Sequence, residues 1–133
     1  MPDLKEKSIG LLNSTAAVDL NGAPAAETTL YTVPVGKTAI ITHVVIRTLS
    51  ASAASAVITL GQTSGACDEF RGDQTLSALD GVTKYVVIDN DQGTNDTPEG
   101  GILFAATTAF GVEITTAHGT AVTAVFDVFG YLF

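Results

Sequence analysis

Ala121-Val-Thr-Ala-Val-Phe-Asp-Val-Phe-Gly-Tyr-Leu-Phe133 is the stretch whose reading decides the fold. At a period of two residues, Val122, Ala124, Phe126, Val128 and Leu132 fall on one face of a strand. Val125, Phe129, Tyr131 and Phe133 fall on the other, interrupted by Asp127. A strand in a half-solvated sheet alternates apolar with polar residues, because one side meets the core and the other meets water. This one is apolar on both sides. The pattern predicts a central strand covered on two faces, the second cover being another element of the chain or another copy of it.

Working outward, the rest of the sequence reads as short strands broken by Gly, Asn, Asp, Ser and Pro. Strands are expected over residues 28–33, 38–48, 56–60, 84–88, 102–105, 110–116 and 120–133. The β-branched run at 38–48 carries the strongest strand signal. Pro34-Val35-Gly36-Lys37 has the residues of a β-turn, and Ala117-His118-Gly119 joins the last two strands. Helical pattern is weak, with a turn or two expected within 68–79. Seven or eight strands with turns at roughly ten-residue spacing predict an all-β fold, an antiparallel β-sandwich of jelly-roll type. Residues 1–26 read as an N-terminal arm that pairs with the body or reaches a neighbour, and residues 27–133 as the sandwich domain.

Composition narrows the function. The 133 residues suit one domain able to bury its own core. Only 15% of them are charged, well under the usual quarter, and small residues fill the difference. A net charge of −8 with six scattered Lys and Arg is wrong for nucleic acid and for an anionic membrane surface. The single cysteine, Cys67, excludes an internal disulfide and a multi-cysteine zinc site, and it reads as a small buried hydrophobe. No run reaches membrane-spanning length and the first residues lack a signal-peptide core, so a cytoplasmic site of synthesis is expected.

Motifs that could carry chemistry are weak. Asp89-Asn90-Asp91-Gln92-Gly93-Thr94-Asn95-Asp96, with Glu99 beyond, places oxygen ligands at alternate positions. Glycine stands fifth rather than sixth and flanking helices are missing, so a solvated turn is favoured over a calcium loop. Arg71-Gly72-Asp73 matches an adhesion tripeptide, but a turn with an Arg–Asp contact explains it. His43 shares a strand face with Ile41, Val45 and Arg47 on this reading, as a structural histidine paired with Asp127 or another acid. His118 belongs to its hairpin. Two isolated histidines give no metal spacing, no nucleophile–base pair can be traced, and Gly61-Gln-Thr-Ser-Gly65 has its serine one place too late for a nucleophile elbow. No catalytic residue, cofactor or metal ligand is assigned.

Leu30-Tyr-Thr-Val-Pro-Val-Gly-Lys-Thr-Ala-Ile-Ile-Thr-His-Val-Val-Ile-Arg47, then an Ala/Ser-rich loop, Ala56-Val-Ile-Thr-Leu-Gly61 and the closing Val128-Phe-Gly-Tyr131, are similar to small β-sandwich structural proteins of tailed bacteriophages. The resemblance covers about half the chain, at its two ends, and leaves residues 67–101 unmatched. It implies a capsid decoration (cement) protein or a tail or fibre component, commonly trimeric. The expected function is therefore a non-enzymatic virion protein on the capsid surface, assembled in the host cytoplasm, with itself and the major capsid protein as partners. Phe126, Val128, Phe129, Tyr131 and Phe133 are expected in the trimer interface or the core. Leu4, Ile9, Leu11 and Leu12 are expected to dock the arm on the capsid. The alternative is a glycan-binding module of a tail or fibre, for which Phe70, Tyr85 and Phe104 are the available aromatic platforms.

Overall fold

In the computed structural model, which describes residues 8–90 and 101–133, the closing segment is β9 (Thr123–Leu132), a central strand. It is flanked on one side by β1 (Gly10–Ser14) and the two-residue β2 (Val18–Asp19), and on the other by β4 (Ala39–Arg47). β7 (Val86–Asp89) continues the sheet beyond β4, giving the order β1-β9-β4-β7. The second sheet has the order β3-β8-β5-β6, built from β3 (Ala26–Thr32), β5 (Val57–Gln62), β6 (Arg71–Thr75) and β8 (Ala109–Thr116). All the strand pairs are antiparallel, and no helix occurs among the described residues.

The pairing explains how the chain winds. β5 pairs with β6, β4 with β7, β3 with β8 and β1 with β9, so the chain is one long antiparallel ribbon folded at its middle. Rolling that ribbon brings β9 beside β4 and β8 beside β5, and closes a five-stranded and a four-stranded layer face to face. This is the jelly-roll order expected from the sequence. Residues 10–14 and 18–19, from the stretch read as an arm, pair with β9 in the first sheet.

The core lies between the layers. Val122, Ala124, Phe126 and Val128 of the last segment meet Ile41, Val44 and Ile46 of β4 and Ile58, Leu60, Phe110 and Val112 of the opposite sheet. Phe110 receives Phe70 and Phe104 edge-on, with ring centroids 5.4 and 5.3 Å away. Interlocked aromatic edges of this kind add stability beyond area burial. The turn after β3 is hydrogen-bonded from Lys37 N to Pro34 O at 3.2 Å, and Gly36 has φ +76, the left-handed position that a type II turn requires.

Three local expectations are corrected. Residues 68–79 hold no helical turn; Arg71–Thr75 is β6, because Gly72 weakens a helix and the edge of β5 offers partners. The Arg71-Gly72-Asp73 tripeptide is thus in a strand rather than a turn, and Arg71 Nη1 lies 3.6 Å from Asp89. Residues 102–105 form only a single bridge, Phe104 to Ala39, rather than a strand.

Candidate assembly face

The two outer faces of the sandwich differ in kind. Across the β3-β8-β5 layer, the outward row Glu27, Glu113 and Thr59 is polar. Across the β1-β9-β4-β7 layer the corresponding rows are largely apolar, and register decides which residues share them. Leu11, Phe129, His43 and Asp89 form one row, and Ser14, Asp127, Val45 and Val87 the next. Tyr131 beside Ile40 and Val125 beside Arg47 extend the face at either end.

β-Bulges set this register. β4 shifts between Ile41 and His43, which sends Ile41 into the core and turns His43 outward. The expectation that His43 shares a face with Ile41 is thereby corrected, because one inserted residue reverses every later side chain. His43 does not pair with Asp127. Its ring stacks on Phe129, with centroids 4.6 Å apart and planes 6° from parallel, and its Nδ1 is 3.0 Å from Thr42 Oγ1. β1 shifts likewise between Leu11 and Asn13, so Leu11 lies outward while the Asn13 amide donates inward to Leu30 O at 2.6 Å.

Two carboxylates interrupt the face, Asp89 at its β7 edge, 3.6 Å from Arg71 Nη1, and Asp127 on the central strand, which is fully engaged. Arg47 donates to both Asp127 oxygens, Nε to Oδ2 at 2.6 Å and Nη2 to Oδ1 at 3.2 Å, while Ser14 Oγ donates to Oδ1 at 2.6 Å. Hydrogen bonding from Arg47, with help from Ser14, holds the Asp127 carboxyl below its ordinary value against the opposing effect of burial. The pair locks Asp127 in place among Val45, Val87 and Phe129.

Of the residues singled out in sequence, Phe126 and Val128 are core. Phe129 and Tyr131 are half-buried on the outer face, and Phe133 is 55% exposed beside Tyr131, their rings 6.3 Å apart. Leu11 and Val87, at opposite margins of the face, are also 55% exposed, and Ile9 is exposed. Leu12 is partly buried against the core. Leu4 lies outside the described residues, as does most of the loop read against calcium, residues 91–99. Sequence reasoning missed Leu11 and Val87 as members of one face with Phe129, because register across separate strands is invisible in a linear pattern.

Chemistry elsewhere is structural. His118 Nδ1 accepts from Ser55 N at 3.2 Å, tying two loops. Phe70 and Phe104 are buried, so of the three aromatics offered for sugar stacking Tyr85 alone is at the surface.

No family model matches the chain, and no curated protein matches it. Among solved structures, a chain of the cyanophage Pam1 capsid asymmetric unit aligns with a TM-score of 0.50 at 14% identity, covering 92% of this chain and 84% of that one. At that identity the likeness is one of fold, and it spans nearly the whole sandwich.

Proposed function

We propose that the chain is a non-enzymatic structural protein of a virus particle, a capsid decoration (cement) protein that associates as a homotrimer and sits where capsid subunits meet. The observation that carries the reading is the difference between the two outer faces. One layer carries a polar outer row, with Glu27 exposed and Thr59 covered by its own chain, and so offers no apolar surface. The other presents Leu11, Val45, Val87, Phe129 and Tyr131 around the Arg47–Asp127 ion pair, with Asp89 at its edge, a composition that suits burial against protein. A fold shared with a chain of a phage capsid agrees with a place in a virion.

The mechanism is interfacial. Turning the outer face of β9 toward a threefold axis, against neighbouring copies, removes apolar surface from water at about 25 cal/mol per Å². A closed trimer then offers three equivalent docking sites to the major capsid protein, and linked sites bind far more tightly than one. The N-terminal segment with Leu4 and Ile9 supplies the contact to the capsid. Tying neighbouring capsid subunits together resists outward pressure from within the particle.

Sedimentation of the purified protein tests this. A species of three times the 13.6 kDa chain mass is expected at micromolar concentration. Phe129→Asp should give a folded monomer, and removal of residues 1–9 should leave the trimer intact but weaken its attachment to capsids. A wild-type protein that stays monomeric, or a truncation that binds particles unchanged, overturns the proposal.

A further inference from the structure

On the polar side of the sandwich, the 63–69 loop folds back over the sheet. It has room because Gly61 and Gly111 stand opposite each other in β5 and β8. A Cβ on Gly61 would strike Glu69 and the backbone of Cys67 and Asp68; one on Gly111 would strike Thr63. The loop delivers Cys67, fully buried at φ +54, with its thiol donating to Gly111 O at 3.7 Å. Glu27 and Glu113 are direct cross-strand partners, an arrangement in which like charges repel. A ligand atom from each of Glu27, Cys67 and Glu113 lies within 4.8 Å of the other two.

A second observation points to the same place. Thr59 is 5% exposed, and its Oγ1 is buried with no hydrogen-bond partner. Thr59 is the register partner of Glu113 on the side away from Glu27, so all three side chains leave the sheet on one face. A buried hydroxyl without a partner costs stability unless something polar meets it. Two opposed carboxylates, a buried thiol and an orphaned hydroxyl thus lie on one side of the β3-β8-β5 sheet.

We propose that Glu27, Cys67 and Glu113 bind one zinc-class divalent ion, with the Thr59 hydroxyl as the hydrogen-bond partner of a water in the fourth position. The donor set selects the metal. Thiolate with carboxylate suits Zn²⁺ and its analogues, whereas Ca²⁺ and Mg²⁺ take oxygen alone. Glu27 Oε2 accepts from Ser64 N at 2.9 Å, which orients the carboxylate from the loop side. On binding, the Cys67 S–H bond breaks, sulfur keeps the electron pair and bonds the metal, and the proton leaves to solvent. Without an ion, burial and the Glu27, Glu113 and Glu69 carboxylates push the thiol up to about 12. An ion reverses that field and staples the loop to β3 and β8.

Titration of the chelator-stripped full chain with Zn²⁺ and Co²⁺ tests the site. Expected are one ion per chain, a thiolate-to-cobalt charge-transfer band, and affinity rising about tenfold per pH unit below the thiol pKa. Zn²⁺ at a hundredfold excess over its Kd should raise Tm by about 10 °C. Cys67→Ser should abolish the band. Glu27→Gln, at an exposed position, should fold normally and weaken binding at least tenfold. Absence of the band in the wild type, or a Zn²⁺ response unchanged in both variants, overturns the proposal.

Discussion

Asp127 and Gly130 show how single residues of β9 serve opposite sides of the sheet. Arg47 holds the Asp127 carboxyl below its ordinary value, so the ion pair stabilises the folded state fully above about pH 4 and loses that contribution as pH falls through the depressed native value. Asp127→Asn should therefore lower the urea midpoint at neutral pH, and the gap from wild type should narrow as the solution is acidified below the ordinary carboxylate range. A gap independent of pH would assign the effect to packing rather than charge. Gly130 faces the backbone of β4, where a Cβ would land on the Ile40 carbonyl oxygen and lie 3.1 Å from Ile41 Cα. Neither neighbour is a flexible side chain that can swing away. Gly130→Ala should destabilise by about 2–3 kcal/mol in chemical unfolding. The motif Phe-Gly-Tyr marked that glycine in sequence without revealing its reason, which is the close approach of the next strand.

At the scale of elements, β9 divides its work between two faces. Phe126 is fully buried between the layers, so Phe126→Ala should destabilise the chain by about 3–5 kcal/mol through lost burial and a residual cavity. Phe129 lies outward against His43 and opposite Leu11. Phe129→Ala should cost the isolated chain only about 1 kcal/mol, the order of a lost ring contact, while weakening self-association more than tenfold. Comparing unfolding with sedimentation for the two variants separates the faces; equal effects in both assays would count against the assembly face. The alternation in β9 was legible because no bulge disturbs its even-numbered core face. In β4 it was not, since the inserted residue at Thr42 depends on how β9 lies beside it. β6 was misread because its Gly and polar residues carry no strand pattern, and the edge of β5 recruits them.

For the whole molecule, the order of pairing governs both folding and association. β1 meets β9 from the far end of the chain, and the outer pairs of the ribbon all join distant segments. Refolding should accordingly be slow for the chain's size, in milliseconds to seconds, as stopped-flow fluorescence of the tyrosines would show. Association joins an apolar face to a chain of net charge −8, so attraction at the face works against repulsion between whole molecules. Raising salt from about 0.01 to 0.15 M shortens the Debye length from roughly 30 to 8 Å and should strengthen self-association. Weakening with salt would mean that ion pairs, rather than the apolar face, hold the copies together.

The sequence by itself determined the all-β class, the sandwich and the inward face of β9. Those features follow from side-chain periodicity, turn residues and β-branched runs, each a property of neighbours in the chain. Tertiary structure alone decided the register. Bulges in β1 and β4 brought Leu11, His43, Phe129 and Val87 onto one outer face, and paired glycines let a distant loop set Cys67 over Glu27 and Glu113. Both groups join residues from separate segments of the chain, and their alignment depends on backbone hydrogen bonds that no local pattern encodes.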